Sequence, residues 1–179
     1  MILGIDPGFA SCGYALLHPN KGMEGAPQFQ SVGVIRTQKT TKKIPLWEDN
    51  ARRTGDLYGS LKAVLPDTMR PTLFAVEAES WTRMPSDKLI GMARGAIYSL
   101  AFEKGAAMEQ YGPREVKKEF CDSGSASKAD VEEALTAINP ELKEFLSRLP
   151  KTQRQHAADA AACAIYALRK SQYARLLQY

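Results

Sequence analysis

The sequence lacks the cysteine spacing that marks a disulfide framework or a zinc site. Its three cysteines (Cys12, Cys121 and Cys163) are odd in number, far apart and without a CxxC pair. Isolated cysteines of this kind predict reduced thiols, as in cytoplasmic proteins, and not a cross-linked secreted fold. Small disulfide scaffolds and zinc ribbons are therefore excluded.

Long hydrophobic runs and targeting signals are also missing. The longest wholly apolar run, Ala160 to Leu168, is about half of the roughly 20 residues that a membrane-spanning helix requires. The first residues carry neither the basic segment nor the long apolar core of a signal peptide. We therefore expect a cytoplasmic protein with no membrane partner.

The chain has little excess of one charge and no repeat or low-complexity stretch. Lys and Arg total 24 against 20 Asp and Glu, a net charge of +4, which is too small to identify a nucleic-acid partner by itself. With 44% hydrophobic and 25% charged residues, the composition is globular. The length of 179 residues favours a single domain, 1–179.

The order of the predicted elements favours an α/β fold. Apolar runs predict strands at 2–5, 13–17, 29–35, 73–76 and 107–111, and helical spacing predicts helices at about 47–65, 85–104, from Pro113, after Ser127 and from about Gln155 into the C-terminal tail. Three strands followed by alternating helices and strands are typical of a mixed five-stranded sheet flanked by helices. This is the RNase H-like layout.

Two carboxylates stand at the ends of apolar strands. Asp6 follows Ile2 to Ile5, and Glu77 follows Phe74 to Val76. Ligands of open α/β sheets bind at strand ends. Two carboxylates about 4 Å apart repel by roughly 4 kcal/mol at an effective dielectric near 20. A divalent cation between them would offset that repulsion.

The last predicted helix adds two further candidate ligands. His156 and Asp159 are three residues apart, so they project from one helical face. Alanines surround them and allow the helix to approach the sheet closely. Oxygen ligands with one imidazole suit Mg²⁺ or Mn²⁺. Each residue alone is more commonly a turn or surface residue, but their order on these elements favours a metal site.

Blocks along roughly the whole chain resemble the RuvC family of Holliday junction resolvases. They are residues 2–8 with Gly13 and Tyr14, 75–77, 92–95, 114–117, 124–128 and 157–160. Because several blocks match in order, the resemblance is more specific than any single motif. One departure is His156, since many family members carry Asp there, although some carry His.

The resemblance implies a metal-dependent endonuclease that resolves four-way DNA junctions by paired symmetric phosphodiester hydrolysis in recombination and repair. It implies that Asp6, Glu77, His156 and Asp159 bind two Mg²⁺ or Mn²⁺ ions. Asp6 is expected to bridge the ions, and His156 to be a variable ligand or a proton acceptor. The histidine lowers the negative charge of the site, so we expect an altered metal preference.

The resemblance also implies contacts with DNA. Lys117 and Lys128 are expected near the scissile strand, and Lys128 is a catalytic candidate at a helix start, where backbone N–H groups suit phosphate. Trp81 is expected to stack on an unpaired base of the junction. Arg83, in the same polar loop, is a further candidate for DNA binding, together with a basic cluster that includes Arg52 and Arg53.

A four-way junction has two equivalent cleavage points on opposing strands. One subunit offers one site, so we expect a homodimer related by a two-fold axis. The apolar stripe of the helix at 85–104 must then serve both the core and any interface. A branch-migration complex is a further candidate partner.

Three other functions fit parts of the pattern. A kinase-like ATPase can share the Gly-Ile-Asp-Pro-Gly start, but 179 residues leave no room for its second nucleotide-binding lobe. A catalytically silent junction-binding protein is disfavoured because all four candidate ligands are retained. An RNase H-like nuclease acting on other branched DNA or on RNA is the nearest alternative.

Overall fold

A computed structural model describes residues 1–19, 27–78 and 86–175. The strands are β1 (Ile2–Asp6), β2 (Ser11–His18), β3 (Gln28–Arg36), β4 (Leu73–Glu77) and β5 (Ala107–Tyr111). They form one sheet in the order β3-β2-β1-β4-β5. β1 pairs antiparallel with β2 and parallel with β4, β2 pairs antiparallel with β3, and β4 pairs parallel with β5. The predicted mixed five-stranded sheet is confirmed.

Helices cover both faces of this sheet. They are α1 (Leu46–Val64), α2 (Ser86–Lys104), α3 (Pro113–Cys121), α4 (Lys128–Ile138), α5 (Pro140–Ser147), α6 (Lys151–Lys170) and α7 (Gln172–Arg175). The core has one part between the sheet and α6 and a second part between the sheet and the pair α1 and α2. The sheet is thus the middle layer of the described structure.

The helix bounds differ from the sequence-based prediction near the C-terminus. α6 begins at Lys151, after Pro150, and not at Gln155, and it ends where Ser171 adopts an extended backbone. α5 was not predicted, because its eight residues are too few to show a helical period clearly. Its Leu142 and Leu146, four residues apart, are buried against the same core as α6.

Strand alternation decides where the two strand-end carboxylates point. In β1, Ile2 belongs to the core beneath α6, whereas Leu3 and Ile5 belong to the core beneath α1 and α2. Side chains two residues apart share a face of a strand, so Asp6 faces α6. The same alternation in β4 places Glu77 on the α6 side.

Helix α6 lies directly on the backbone of β1 and β2. A Cβ atom built on Gly4 would be 2.0 Å from the Ala160 carbonyl oxygen, and one built on Gly13 would be 1.9 Å from the His156 carbonyl oxygen. Glycine is therefore required at both positions. Because Gly13 pairs with Asp6 in the sheet register, this close approach brings the helix to the end of β1.

The opposite face of the sheet carries larger side chains. Leu57 and Leu61 of α1 and Ile97 and Leu100 of α2 are fully buried there. Among the described residues, no helix is long and apolar enough to cross a membrane. The cysteines are free thiols, as expected.

Candidate active site

Three acidic side chains from distant parts of the chain meet at one edge of the sheet. Asp6 ends β1, Glu77 ends β4 and Asp159 lies in α6. Each offers a carboxylate oxygen, and these oxygens lie within 4.8 Å of one another. The parallel pairing of β1 and β4 brings their carboxyl ends together, and the close packing of α6 supplies the third group.

His156 contacts the cluster through Asp6. Its Nδ1 lies 2.6 Å from Asp6 Oδ2. The hydrogen bond to Asp6 raises the pKa of the His156 imidazole, although partial burial opposes that shift. With Nδ1 bonded to Asp6, Nε2 is the ring atom that remains for a metal ion or water. The structure thus places His156 beside the three carboxylates, where it contacts Asp6 but is not itself a member of the cluster.

Lys128 reaches the opposite side of the cluster. Its Nζ lies 3.0 Å from Asp159 Oδ2, and the side chain is 48% exposed. Burial of the ammonium opposes its charge, but the Asp159 carboxylate beside it holds the pKa of Lys128 above the usual value. The exposure shows that the ammonium borders the cluster at its rim and does not fill it.

The position of Lys128 follows from the local sequence. Ser127 caps α4: its hydroxyl accepts from the Asp130 N–H at 3.2 Å, and its own N–H donates to Asp130 Oδ2 at 2.8 Å. This confirms the helix start predicted after Ser127. Lys128 is therefore the first residue of α4, and the cap fixes its backbone beside the cleft.

The electrostatics of the cluster show an excess of negative charge. Burial, followed by repulsion from Asp6 and Asp159, raises the pKa of Glu77 to about 8. Burial also raises the pKa of Asp159, despite the neighbouring Lys128. Burial is the larger cause for both groups, and for Glu77 it is joined by repulsion from the neighbouring carboxylates, which a cation at the site would relieve.

The donor set fits a hard divalent cation. Three carboxylates that converge at this distance are the ligands that Mg²⁺ and Mn²⁺ prefer. A cation there would remove the mutual repulsion that raises the pKa of Glu77. Asp6, Glu77 and Asp159 would hold it, with His156 Nε2 as an adjoining donor.

A cleft of about 260 Å³ opens beside the carboxylates. Its lining combines the acidic groups with small apolar side chains and one cation: Asp6, Pro7, Glu77, Ala78, Ile90, Arg94 and Pro113. The Arg94 guanidinium donates to the Glu77 carbonyl oxygen at 2.8 Å. Sequence reasoning did not assign Arg94 to the site, although Arg94 lies in the block 92–95 that resembles the RuvC family and is a charged residue beside the apolar stripe of this helix.

Lys117 occupies a supporting position. It lies in α3, and its Nζ donates to the Ala126 carbonyl oxygen at 2.8 Å. Ala126 precedes the Ser127 cap, so Lys117 braces the loop that presents Lys128. Its contact with a scissile strand stays a prediction.

Other candidates for DNA contact are placed differently or lie outside the described residues. Trp81 and Arg83 fall within 79–85, which the structure does not describe, so both remain predictions. Arg53 is buried, stacks over the Phe9 ring and donates to the Thr37 hydroxyl. Arg52 bonds Asp49 and Asp56. The expectation that Arg53 lies on a phosphate-binding surface is therefore wrong, because its guanidinium packs in the core.

Comparisons with known proteins agree with this architecture. A family model described as crossover junction endodeoxyribonuclease RuvC matches residues 2–167. The RuvC of Heliobacterium modesticaldum is 32% identical over 166 residues, covering 92% of this chain and 91% of the relative.

Two solved structures of Thermus thermophilus RuvC share the fold. One matches with a TM-score of 0.71 and 25% identity, covering 94% of this chain and 95% of that one. The other, in complex with Holliday junction substrate, has a TM-score of 0.70 and 24% identity, covering 94% of each chain. The RNase H-like fold is thereby confirmed. Because the family model spans nearly the whole chain and the fold agrees, this protein belongs to the RuvC family of crossover junction endodeoxyribonucleases.

Proposed function

We propose that this protein is a metal-dependent endonuclease that resolves four-way DNA junctions by paired phosphodiester hydrolysis, with residues 1–179 acting as one nuclease domain. The observation that carries the proposal is the convergence of Asp6, Glu77 and Asp159 within 4.8 Å. These three residues come from two parallel strands and a helix that are far apart in sequence. The family and the solved complex of Thermus thermophilus RuvC with a Holliday junction support the substrate.

Asp6, Glu77 and Asp159 would hold the metal ions, with Asp6 as the ligand common to them. Asp6 lies between His156 and Glu77: its Oδ2 is bonded to His156, and its charge acts on the pKa of Glu77. When bound, two Mg²⁺ or Mn²⁺ ions supply an activated water and stabilise the charge that develops on the phosphate.

His156 orients Asp6 and takes part in proton transfer. The side chain is 37% exposed, so the ring is accessible to water. Because the bond to Asp6 raises the pKa of the imidazole, the ring is a good proton acceptor near neutral pH.

Lys128 stabilises the attacked phosphate. Its ammonium is bonded to Asp159, and a phosphate oxygen in the cleft offers it an alternative anionic partner. Lys117 holds the loop of Lys128 and contributes positive charge on the same side. Trp81 is assigned to junction recognition on the basis of family resemblance, and Arg83 because it is a basic residue two positions away in the sequence.

A homodimer supplies the second cleavage site. A groove of about 510 Å³ runs between the exposed faces of α1 and α2, lined by Thr54, Gly55, Tyr58, Met92, Gly95, Ala96 and Ser99. Trp47, near the start of α1, and Phe102, near the end of α2, are 72% and 90% exposed. Such an apolar surface is typical of a protein interface, and we assign it to the two-fold partner. The free cysteines support a reducing, cytoplasmic location.

The function is tested with labelled four-way junction, three-way junction, duplex and RNA–DNA hybrid substrates in Mg²⁺ or Mn²⁺. Wild type is expected to nick the four-way junction symmetrically, and Asp6→Asn to bind it without cutting. Equal cutting of plain duplex would contradict junction resolution, and preference for the hybrid would favour the alternative of an RNase H-like enzyme on RNA. Junction binding without cleavage by wild type in either metal would favour the silent binding protein.

The dimer is tested by light scattering with Gly95→Arg, which fills the groove. A Cβ at Gly95 meets no atom within 4 Å, so the variant should fold, become monomeric and lose paired incision. Ala137→Arg on the exposed side of α4 adds the same charge elsewhere and should remain dimeric. A dimeric Gly95→Arg would place the interface on another face.

A further inference from the structure

Arg94 is a buried cation that lines the cleft and bonds the backbone of Glu77. Its side chain comes from α2, and the residue is 7% exposed. Its Nη2 donates to the Glu77 carbonyl oxygen at 2.8 Å, and its Nη1 donates to the Tyr98 hydroxyl at 3.0 Å and to Gln110 Oε1 at 3.2 Å. One guanidinium therefore joins α2 to the ends of β4 and β5.

The bond falls on the peptide that follows the acidic side chain. In that peptide, the Ala78 N–H donates to the Tyr111 carbonyl oxygen at 2.8 Å, while the Glu77 carbonyl oxygen accepts from Arg94. Both polar atoms of the peptide between Glu77 and Ala78 are thus held. The plane of this peptide sets the backbone of Glu77 and hence the direction of its side chain.

The sheet pairs Glu77 on one side only, as it does Asp6, whose register partner is Gly13 in β2. The pairing of β4 with β1 ends at Val76, opposite Ile5, whereas Glu77 retains a register partner only in β5. Glu77 is also the last residue of β4. Arg94 therefore supplies hydrogen bonding at a point where the pairing with the central strand has stopped.

The partners of Arg94 hold its guanidinium in place. Gln110 Nε2 donates to the Tyr98 hydroxyl at 2.8 Å, so Arg94, Tyr98 and Gln110 form a closed set of hydrogen bonds. A planar group with several fixed donors keeps its orientation better than a flexible ammonium does. A lysine at this position could not reproduce the planar arrangement of donors that bonds all three acceptors.

We propose that Arg94 is a positioning residue that fixes the Glu77 carboxylate in the geometry that metal binding requires, an inference that rests on the proposed metal site. Residues that orient metal ligands are commonly worth about 10–100-fold in metal affinity or activity. Arg94 lines the cleft but acts on Glu77 through its backbone, so this role does not require contact with DNA.

The test compares Arg94→Met and Arg94→Lys with Lys104→Met. Lys104 is a matched control because it lies in the same helix, is 8% exposed and donates to the Leu65 carbonyl oxygen at 2.9 Å, at the C-terminal end of α2 and away from Glu77. Mn²⁺ affinity of the DNA-free protein is measured by calorimetry, junction cleavage by kcat and KM, and folding by thermal unfolding.

Arg94→Met is expected to weaken Mn²⁺ binding and lower kcat by about 10–100-fold, with KM nearly unchanged. Arg94→Lys should recover part of both losses. Lys104→Met should leave Mn²⁺ affinity within about twofold of wild type. This should hold even if the melting temperature of Lys104→Met falls as much as that of Arg94→Met.

Three results overturn the inference. The first is unchanged Mn²⁺ affinity in a folded Arg94→Met protein. The second is a loss of Mn²⁺ affinity in Lys104→Met equal to that in Arg94→Met. The third, which applies if Arg94→Met does not fold, is wild-type Mn²⁺ affinity in Arg94→Lys. Failure of the wild type itself to bind Mn²⁺ would instead overturn the proposed metal site, so the two failures are distinguishable.

Discussion

The two faces of the sheet use glycine in opposite ways. On the α6 face, Gly4 and Gly13 permit contact between helix and strand backbones, because a Cβ on either would lie within about 2 Å of a carbonyl oxygen of α6. On the other face, glycines of α1 and α2 have no atom within 4 Å of a built Cβ; these are Gly55, Gly59, Gly91 and Gly95. The glycines on the α6 face permit a close backbone contact. On the other face, Gly55 and Gly95 line the groove between α1 and α2.

This difference separates the chemistry from the proposed assembly. Close packing of α6 carries His156 and Asp159 to Asp6, so the metal cluster depends on the absence of a Cβ at Gly13. The groove between α1 and α2 lies on the other side of the sheet and is available to a partner. Changes on the α6 face should therefore affect folding and catalysis together, whereas small changes on the α1 and α2 face should leave catalysis unchanged and should not destabilise the fold.

The largest effect is expected for Gly13→Ala. Its methyl group would overlap the His156 carbonyl oxygen, 1.9 Å away, and backbone cannot move aside as a flexible side chain can. We expect a loss of about 3 kcal/mol or more in the free energy of unfolding, and a loss of junction cleavage because α6 must shift. Thermal unfolding and a nicking assay measure both.

Gly59→Ala is the matched control, since the same methyl group there meets no atom. A Gly13→Ala protein with wild-type stability and activity would show that α6 does not need this contact, and the comparison of the two faces would fail.

An intermediate effect, of opposite sign, is expected for Glu77→Gln in metal-free protein. The pKa of Glu77 is raised from 4.5 to about 8 in the folded state. The folded protein therefore binds this proton more tightly than the unfolded chain, and its stability falls as pH rises from about 4.5 to about 8. Glutamine cannot ionise, so the variant should be more stable than wild type by roughly 2–3 kcal/mol at pH 7 in EDTA, and inactive.

Melting temperatures measured from pH 4 to pH 9 check this sign. The gain of Glu77→Gln should vanish below about pH 4.5. Saturating Mn²⁺ should reverse it by stabilising wild type selectively. Glu133→Gln, on the exposed side of α4, controls for the removal of one negative charge. An equal gain in stability in that variant would contradict the assignment of the effect to the buried cluster.

The smallest effect is expected for Gly59→Ala itself. Alanine exceeds glycine in helix propensity by about 1 kcal/mol, so the protein should be stabilised by up to that amount, with unchanged cleavage. Chemical denaturation measures the gain. A marked loss of stability would mean that the space beside Gly59 is already filled by packing.

Much of the fold was predictable because the signals are local. Apolar runs located the strands, the Ser127 cap located α4, and the odd–even alternation of β1 and β4 is readable once α6 is known to cover one face. The eight-residue helix α5 was missed because it is too short to show a clear hydrophobic period, and it is stabilised mainly by its packing against the core.

The candidate site was predictable as a set of residues but not as a geometry. Asp6, Glu77, His156 and Asp159 were identified from their positions on elements, and the structure brings them to one edge of the sheet. The bond of His156 to Asp6, the bond of Lys128 to Asp159 and the burial of Arg53 depend on tertiary distances, which no spacing in the sequence encodes. The role of Gly13 is of the same kind, since only the approach of α6 reveals it.

The central claim is that Asp6, Glu77 and Asp159 form one shared metal site, with Asp6 common to both ions. Calorimetric titration of wild type and Asp6→Asn with Mn²⁺ tests it most directly. We expect two ions per wild-type subunit and the loss of both in Asp6→Asn, because the shared ligand is removed. Two ions bound by Asp6→Asn with wild-type affinity would contradict the claim.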